Sequence, residues 1–202
     1  IRNTYAMVDL IDQGVGKILD ALKETGSLED TIIVVTADHG ELMGDHGVWL
    51  KGPFFYDGLV NVPLMIAAPG VEPGQTAALT SSIDIYPTIC ELAGVKAPRW
   101  CDGVSQVPAL TGDAPRSSCL IEYRNGYFEN DVNTMGYVDE NYKFIQYQNG
   151  ACELTDRKND PQENGNLAAD PANAALVTRY REKMLMAMLS TGTKFPDQIC
   201  HA

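Results

Sequence analysis

The sequence predicts an α/β fold in two parts, a helix-and-strand part over residues 1–112 and an antiparallel sheet with a helix over residues 113–202. Three observations carry this reading. Apolar residues recur at helical steps over residues 5–25, an unbroken β-branched run follows at 31–37, and past Gly112 short strand candidates succeed one another without a helix between them.

Val8, Ile11, Val15, Ile18 and Leu22 stand three or four residues apart, which places one apolar stripe on a helix, and Gly26 suits its left-handed cap. After the connector Ser27-Leu28-Glu29-Asp30, the run Thr31-Ile32-Ile33-Val34-Val35-Thr36-Ala37 suits a strand buried on both faces of a parallel sheet. Residues 38–62 are rich in Gly, Asp and His and have no period. They read as a long loop leaving the carboxyl end of that strand, and loops of this length in compact domains are usually functional. Residues 63–68 predict a second core strand, closed by Pro69-Gly70. Ser81, Ser82 and Asp84 offer caps for a helix that takes Pro87 in its first turn and ends at Ala93-Gly94. Residues 118–123, 134–139, 142–147 and 151–154, separated by Asn, Gly and Asp turns, predict an antiparallel meander. Pro171 then opens a helix to Ser190 with Ala175, Leu176, Tyr180, Met184, Met188 and Leu189 apolar, and its methionines read as core.

Composition narrows the function. With 15 basic and 27 acidic side chains the 202 residues carry a net charge of −12, which argues against nucleic acid or an anionic membrane as partner. No run approaches the roughly 20 apolar residues that span a bilayer. A 45% hydrophobic and 21% charged composition supports a packed core. The five cysteines (Cys90, Cys101, Cys119, Cys152, Cys200) are odd in number and lack a CxxC pair, so they indicate thiols rather than a zinc knuckle or disulfide framework. Ile1 leads directly into a helix, and the chain is expected to be part of a longer polypeptide.

Chemistry concentrates in the long loop. Asp38-His39-Gly40 sits where a buried strand ends, the place where α/β sheets bind ligands, and a carboxylate beside an imidazole suits a divalent cation held mainly by oxygen. The plainer alternative is a loop-capping aspartate and a hydrogen-bonded histidine. Asp45-His46-Gly47 repeats the pattern seven residues on, either as a second contribution to the site or as an Asp-x-Gly turn. Lys51, between Trp49 and Gly52-Pro53-Phe54-Phe55, is expected to be desolvated and to clamp an anion, against the alternative of a solvated loop lysine. No G-x-S-x-G turn or P-loop occurs, and Asp156, Asp160, Glu163 and Asp170 read as a solvated turn.

Taken together, Thr31 through Trp49, Lys51-Gly52 and Val62-Pro63-Leu64 resemble the second signature region of the sulfatase family in the alkaline phosphatase superfamily. That family includes arylsulfatases, choline-sulfatase-like enzymes and phosphonate monoester hydrolases. The likeness extends upstream to Tyr5-Ala6, Asp9 and Asp12. Downstream it takes in Asp84-Ile85-Tyr86-Pro87-Thr88 with Leu92-Ala93-Gly94, then Asp102-Gly103, Glu153-Leu154-Thr155-Asp156, Asn159-Asp160-Pro161 and Asn166-Leu167-Ala168.

The resemblance implies part of an alkaline-phosphatase-like sheet sandwiched by helices, followed by a small antiparallel subdomain. It implies that Asp38 and His39 ligate a divalent cation, Ca2+ in sulfatases with Mn2+ or Mg2+ as alternatives. Lys51 would hold a sulfate or phosphoryl oxygen, and His46 would line the same pocket. The family's nucleophile, a Cys or Ser of a C-x-P-x-R or S-x-P-x-R motif converted to formylglycine, has no counterpart in these residues. Neither do the tandem aspartates of its first strand or the histidine that protonates the leaving group, so the chain resembles the family's carboxyl-terminal portion. The implied activity of the complete protein is sulfuric-ester hydrolysis of a small anionic ester, with a phosphonate or phosphate ester hydrolase as the alternative. These residues alone are expected to hydrolyse nothing. From another class, a non-catalytic sulfatase-like piece would bind a partner chain or an anion. Expected protein partners are the amino-terminal half of the same enzyme or a second copy. A related phosphodiesterase or mutase would need a second metal cluster, hard to assemble from three histidines that include His201.

Overall fold

The computed structural model describes residues 2–125 and 132–191. Residues 126–131, together with Cys200 and His201, lie outside them. The fold is α/β, and the chain divides into two compact units.

The first unit comprises Ile1–Ala37 and Pro63–Pro73. Helix α1 (Arg2–Glu24) has the expected apolar stripe and ends where Gly26 takes φ +69°, its N–H donating to the Lys23 carbonyl. None of its residues is buried in this unit, and Val8, Ile11 and Ile18 are exposed. Strand β1 (Ile33–Thr36) pairs with β2 (Leu64–Ala67) in antiparallel register, Thr36 opposite Leu64 and Ile33 opposite Ala67. This corrects two expectations for the β-branched run. It joins an antiparallel ladder, and its residues are half-buried, with Thr36 exposed. A run of Ile and Val favours an extended, partly covered strand whichever way its neighbour runs; pairing direction is set by where the chain returns. Here residues 38–62 leave the end of β1 and come back to the adjoining end of β2, as in a long hairpin.

The second unit comprises Asp38–Val62 and Gly74–Ala202. Its frame is a four-stranded meander, as expected: β3 (Ser118–Asn125), β4 (Val132–Asp139), β5 (Tyr142–Tyr147) and β6 (Cys152–Asp156), antiparallel throughout in the order β3-β4-β5-β6. Alternation along the strands sends Tyr137, Phe144 and Leu154 to one face. There they pack with Val177, Tyr180 and Met184 of α4 (Ala174–Ser190), forming the main apolar core. Of the expected stripe, Met184 is buried and Met188 packs against this core, whereas Leu189 is exposed. Asp139 ties helix to sheet, accepting from the Tyr180 hydroxyl at 2.9 Å, Lys183 Nζ at 2.6 Å and the N–H of Asn141 and Tyr142.

The opposite face receives the long loop. Gly136 on β4 is required there, because a Cβ would lie 2.8 Å from the Phe55 ring. The loop carries one short helix, α2 (Asp57–Val60), within residues whose sequence shows no period. Helix α3 (Ile85–Leu92) begins as expected, with Ser81 and Asp84 forming a capping box. Asp84 does more than cap. Wholly buried, it accepts from the N–H of Ser81 and Val104, both at 2.8 Å, from Gln106 Nε2 at 3.2 Å, and from Arg116 through Nε at 2.7 Å and Nη2. This charge-assisted set fastens residues 81–84 and 104–106 to the start of β3.

Candidate active site

Beyond the end of β1 the chain enters a cleft of about 820 Å³ in the second unit. Asp38, His39, Lys51, Asp57, Ser81 and Arg157 are among its polar lining residues, with Phe55, Leu59 and Ile121 among the apolar ones. Three of the four expected site residues meet there. His39 Nε2 is 3.3 Å from Asp38 Oδ2 and 2.7 Å from Lys51 Nζ. The other ring nitrogen, Nδ1, is 2.8 Å from the Gly40 carbonyl. A carbonyl only accepts, so Nδ1 is the protonated nitrogen and Nε2 presents its lone pair to Lys51 and to whatever enters beside Asp38.

The backbone explains why these groups converge. The Gly40 N–H donates to the Leu59 carbonyl at 2.7 Å, and a Cβ at Gly40 would lie 2.1 Å from the Gly58 carbonyl oxygen. Only glycine lets the loop pass so close to α2, and that contact sets the peptide against which His39 is oriented. Asp38 has a highly exposed side chain, yet its carboxyl is held below the usual range. The His39 backbone N–H donating at 3.0 Å is the leading cause, and the charge of Lys51 is a smaller contribution. A carboxylate that stays ionised and an imidazole whose Nε2 lone pair lies 3.3 Å from it, shared in this structure with Lys51, are donors of the kind that suit an oxygen-preferring divalent cation. No group of three or more His, Cys, Asp or Glu side chains that could hold a metal occurs among the described residues, and two donors by themselves would supply only part of a cation's coordination.

Lys51 departs from expectation in one respect: it is exposed rather than desolvated by its aromatic neighbours. Its place is set by His39. His46 stands apart from the trio. Asp45–Gly47 is a tight turn in which His46 has φ +50° and Gly47 φ +72°, and the His46 ring lies flat on Tyr56, centroids 3.7 Å apart and planes 4° from parallel. The Asp-x-Gly turn is therefore present, and within it the imidazole is fixed by stacking.

The chain is similar to known proteins along most of its length. The sulfatase family model matches residues 1–95, which include Asp38, His39, His46 and Lys51. The choline-sulfatase of Rhizobium meliloti is 35% identical over 188 residues, covering 90% of this chain and 36% of that protein. The chain belongs to the sulfatase family. Among solved structures this sulfatase-family chain superposes on a 2-O GAG sulfatase with a TM-score of 0.82 at 30% identity, covering 89% of this chain and 40% of that one. It superposes on the phosphonate monoester hydrolase of Agrobacterium radiobacter with a TM-score of 0.81 at 34% identity, covering 92% of this chain and 40% of that one. The chain thus spans well under half the length of the relatives it matches.

Sequence reasoning missed three residues around this sulfatase-family site. Tyr56 was passed over as one aromatic among several. Glu163, expected in a solvated turn, is 6% exposed at its side chain and pairs at 2.5 Å with Lys143, which is 1% exposed. Lys143 did leave a signal, being the one charged residue in the strand Tyr-Lys-Phe-Ile-Gln-Tyr, on the side opposite Phe144. Asp156, Asp160 and Asp170 do shape turns, each accepting from nearby backbone N–H groups.

Proposed function

We propose that this chain supplies one wall of the active site of a sulfuric-ester hydrolase. The observation that carries the reading is the convergence of Asp38, His39 and Lys51 in one cleft, a cation-binding pair and a positively charged side chain within hydrogen-bond reach of each other. In an otherwise acidic protein this is where an anionic ester can be received.

Lys51 has a mobile four-carbon stem and an exposed ammonium. It takes up an ester oxygen and stabilises the charge that gathers there as the bond to the leaving group breaks, a contact worth roughly 10²–10³ in rate. Asp38, kept ionised by the His39 N–H, and His39, kept in one tautomer by the Gly40 carbonyl, would hold the divalent cation, Ca2+ with Mn2+ or Mg2+ as alternatives. When bound, that cation supplies positive charge that polarises the ester group. His46, stacked on Tyr56 apart from the trio, takes only a supporting role in the surrounding loop. The nucleophile, a formylglycine by resemblance to the family, is placed outside these 202 residues, which hold no C-x-P-x-R or S-x-P-x-R segment.

A second reading, a phosphonate or phosphate ester hydrolase, is favoured by one observation. The phosphonate monoester hydrolase neighbour, at 34% identity, is as similar as the sulfatase neighbours. The same cation pair and lysine suit a tetrahedral phosphoryl group. The test is a paired assay of 4-nitrophenyl sulfate and 4-nitrophenyl phenylphosphonate with the polypeptide that carries this chain, beside its Lys51→Ala variant. The sulfate ester is expected to be the better substrate, and Lys51→Ala to lower kcat by ~10²–10³. The reverse preference selects the phosphorus reading; activity indifferent to Lys51 removes both. Residues 1–202 alone are expected to cleave neither ester.

A further inference from the structure

We propose that Lys143, far from the cleft's chemistry in sequence and buried beneath it, is a positioning residue that holds both site imidazoles in place. The effect on turnover rests on the ester-hydrolase reading above; the effect on the imidazoles does not. Lys143 projects from the middle of β5 on the face opposite the apolar core. Nζ donates to the Phe55 carbonyl at 2.8 Å and to Asp57 Oδ1, and it pairs with the Glu163 carboxylate, 2.5 Å from Oε1. Glu163 closes the arrangement by accepting the Asp57 N–H on Oε2 at 2.6 Å. It does so from a backbone with φ +57°, a conformation that a glutamate holds only where its surroundings impose it.

The segment gripped in this way, Phe55 to Asp57, has two outlets toward the site. Tyr56 lies between the two gripped residues and carries the His46 ring on its face. Asp57 begins α2, whose Leu59 carbonyl receives the Gly40 N–H, and the Gly40 carbonyl in turn sets His39 Nδ1. One ammonium thus anchors two chains of contact, one ending at each imidazole. A charged group is suited to this task because a buried ammonium must keep its acceptors and its paired carboxylate, which fixes the register of the loop on the sheet, whereas an apolar side chain would tolerate sliding.

The experiment uses Glu163→Gln, which keeps shape and hydrogen bonding but removes one charge. Asp57→Asn perturbs the same ammonium from the other side and serves if the first variant does not fold. Val177→Ala, in the core on the other face of the sheet, is the control for lost stability alone. Imidazole resonances of histidine-labelled protein are recorded without ligand, His39 and His46 being assigned by substitution. Both sets of signals are expected to shift or broaden in the charge variants and to stay in place in Val177→Ala. In the polypeptide that carries this chain, kcat is expected to fall roughly 10- to 100-fold with KM changed less than about threefold. The proposal is overturned if the imidazole signals of the charge variants match the parent, or if Val177→Ala moves them equally. If the parent hydrolyses no ester while the imidazoles respond as stated, the hydrolase reading fails and the positioning role stands.

Discussion

Lys51 Nζ and His39 Nε2 lie 2.7 Å apart across twelve positions of a loop, an ammonium donating to the lone pair of a neutral imidazole. The contact brings the side chain proposed to receive an anion and the side chain proposed to hold a cation to a common point. It requires the His39 tautomer that the Gly40 carbonyl selects, so loop geometry and site chemistry are one property here.

The donor pair predicts cation binding by the polypeptide that carries this chain. Titration with Ca2+ or Mn2+, followed calorimetrically, should show Asp38→Asn weakening affinity by at least about tenfold, since even outer partners of metal ligands contribute on that scale. Unchanged affinity would remove Asp38 from the ligand set.

Gly40→Ala should destabilise the second unit. The added Cβ would meet the Gly58 carbonyl oxygen at 2.1 Å, so either the loop or α2 must give way and the bond to Leu59 is strained. Urea unfolding is expected to show a loss of about 1–3 kcal/mol, the usual range for overpacking. Gly47→Ala is a useful contrast, since open space surrounds that Cβ and only the positive φ is penalised.

The buried ion pair predicts an asymmetry. Lys143→Met leaves Glu163 buried without its partner and should cost about 3–5 kcal/mol, whereas Lys143→Met combined with Glu163→Leu should recover much of that loss. Chemical denaturation of the single and double variants measures it. A double variant less stable than the single would contradict the assignment.

Acid should loosen α4 from the sheet through Asp139. Burial pushes this carboxyl upward, but the Lys183 ammonium and the N–H groups of Tyr142 and Asn141 outweigh it and hold the carboxyl below its ordinary 3.8. A folded value below the unfolded one contributes stability that is fully present above about pH 4 and is lost as pH falls through the folded value. Lys183→Met should lower stability near neutral pH and shrink the acid limb, because the folded value then moves toward the unfolded one, and Asp139→Asn should flatten that limb as well.

The Cys119 thiol, pushed up to about 11 chiefly by burial and only partly offset by Arg116, should resist alkylation. At pH 8 its reaction with iodoacetamide is expected to be at least about 100-fold slower than that of an ordinary exposed thiol, because so little thiolate is present. Peptide mass spectrometry after timed labelling reads this directly.

Much of this was legible from order and spacing along the chain. The meander beyond Gly112 was visible because its strands alternate and its turns carry Asn, Gly and Asp. The Ser81–Asp84 start of α3 was visible because capping is a relation within three residues. The Asp38-His39 to Lys51 grouping, which lies within one loop, is implied by the resemblance to the sulfatase signature region.

What escaped the reading was every relation between distant segments. Whether β1 lay parallel or antiparallel to its neighbour depended on the chain's return path, which residue type does not encode. Lys51 was expected to lose its water to aromatic neighbours in sequence, yet what surrounds an ammonium is decided by neighbours in space. Glu163 sits among Asp, Asn and Pro and has the composition of a solvated turn; it is buried because Lys143, on another strand, demands an acceptor at that point. Local propensity and periodicity act through contacts a few residues apart and can be read along the chain. Burial, ion pairing and the aim of a catalytic side chain arise from contacts such as Glu163 with Asp57, 106 residues apart, and only tertiary packing brings those atoms together.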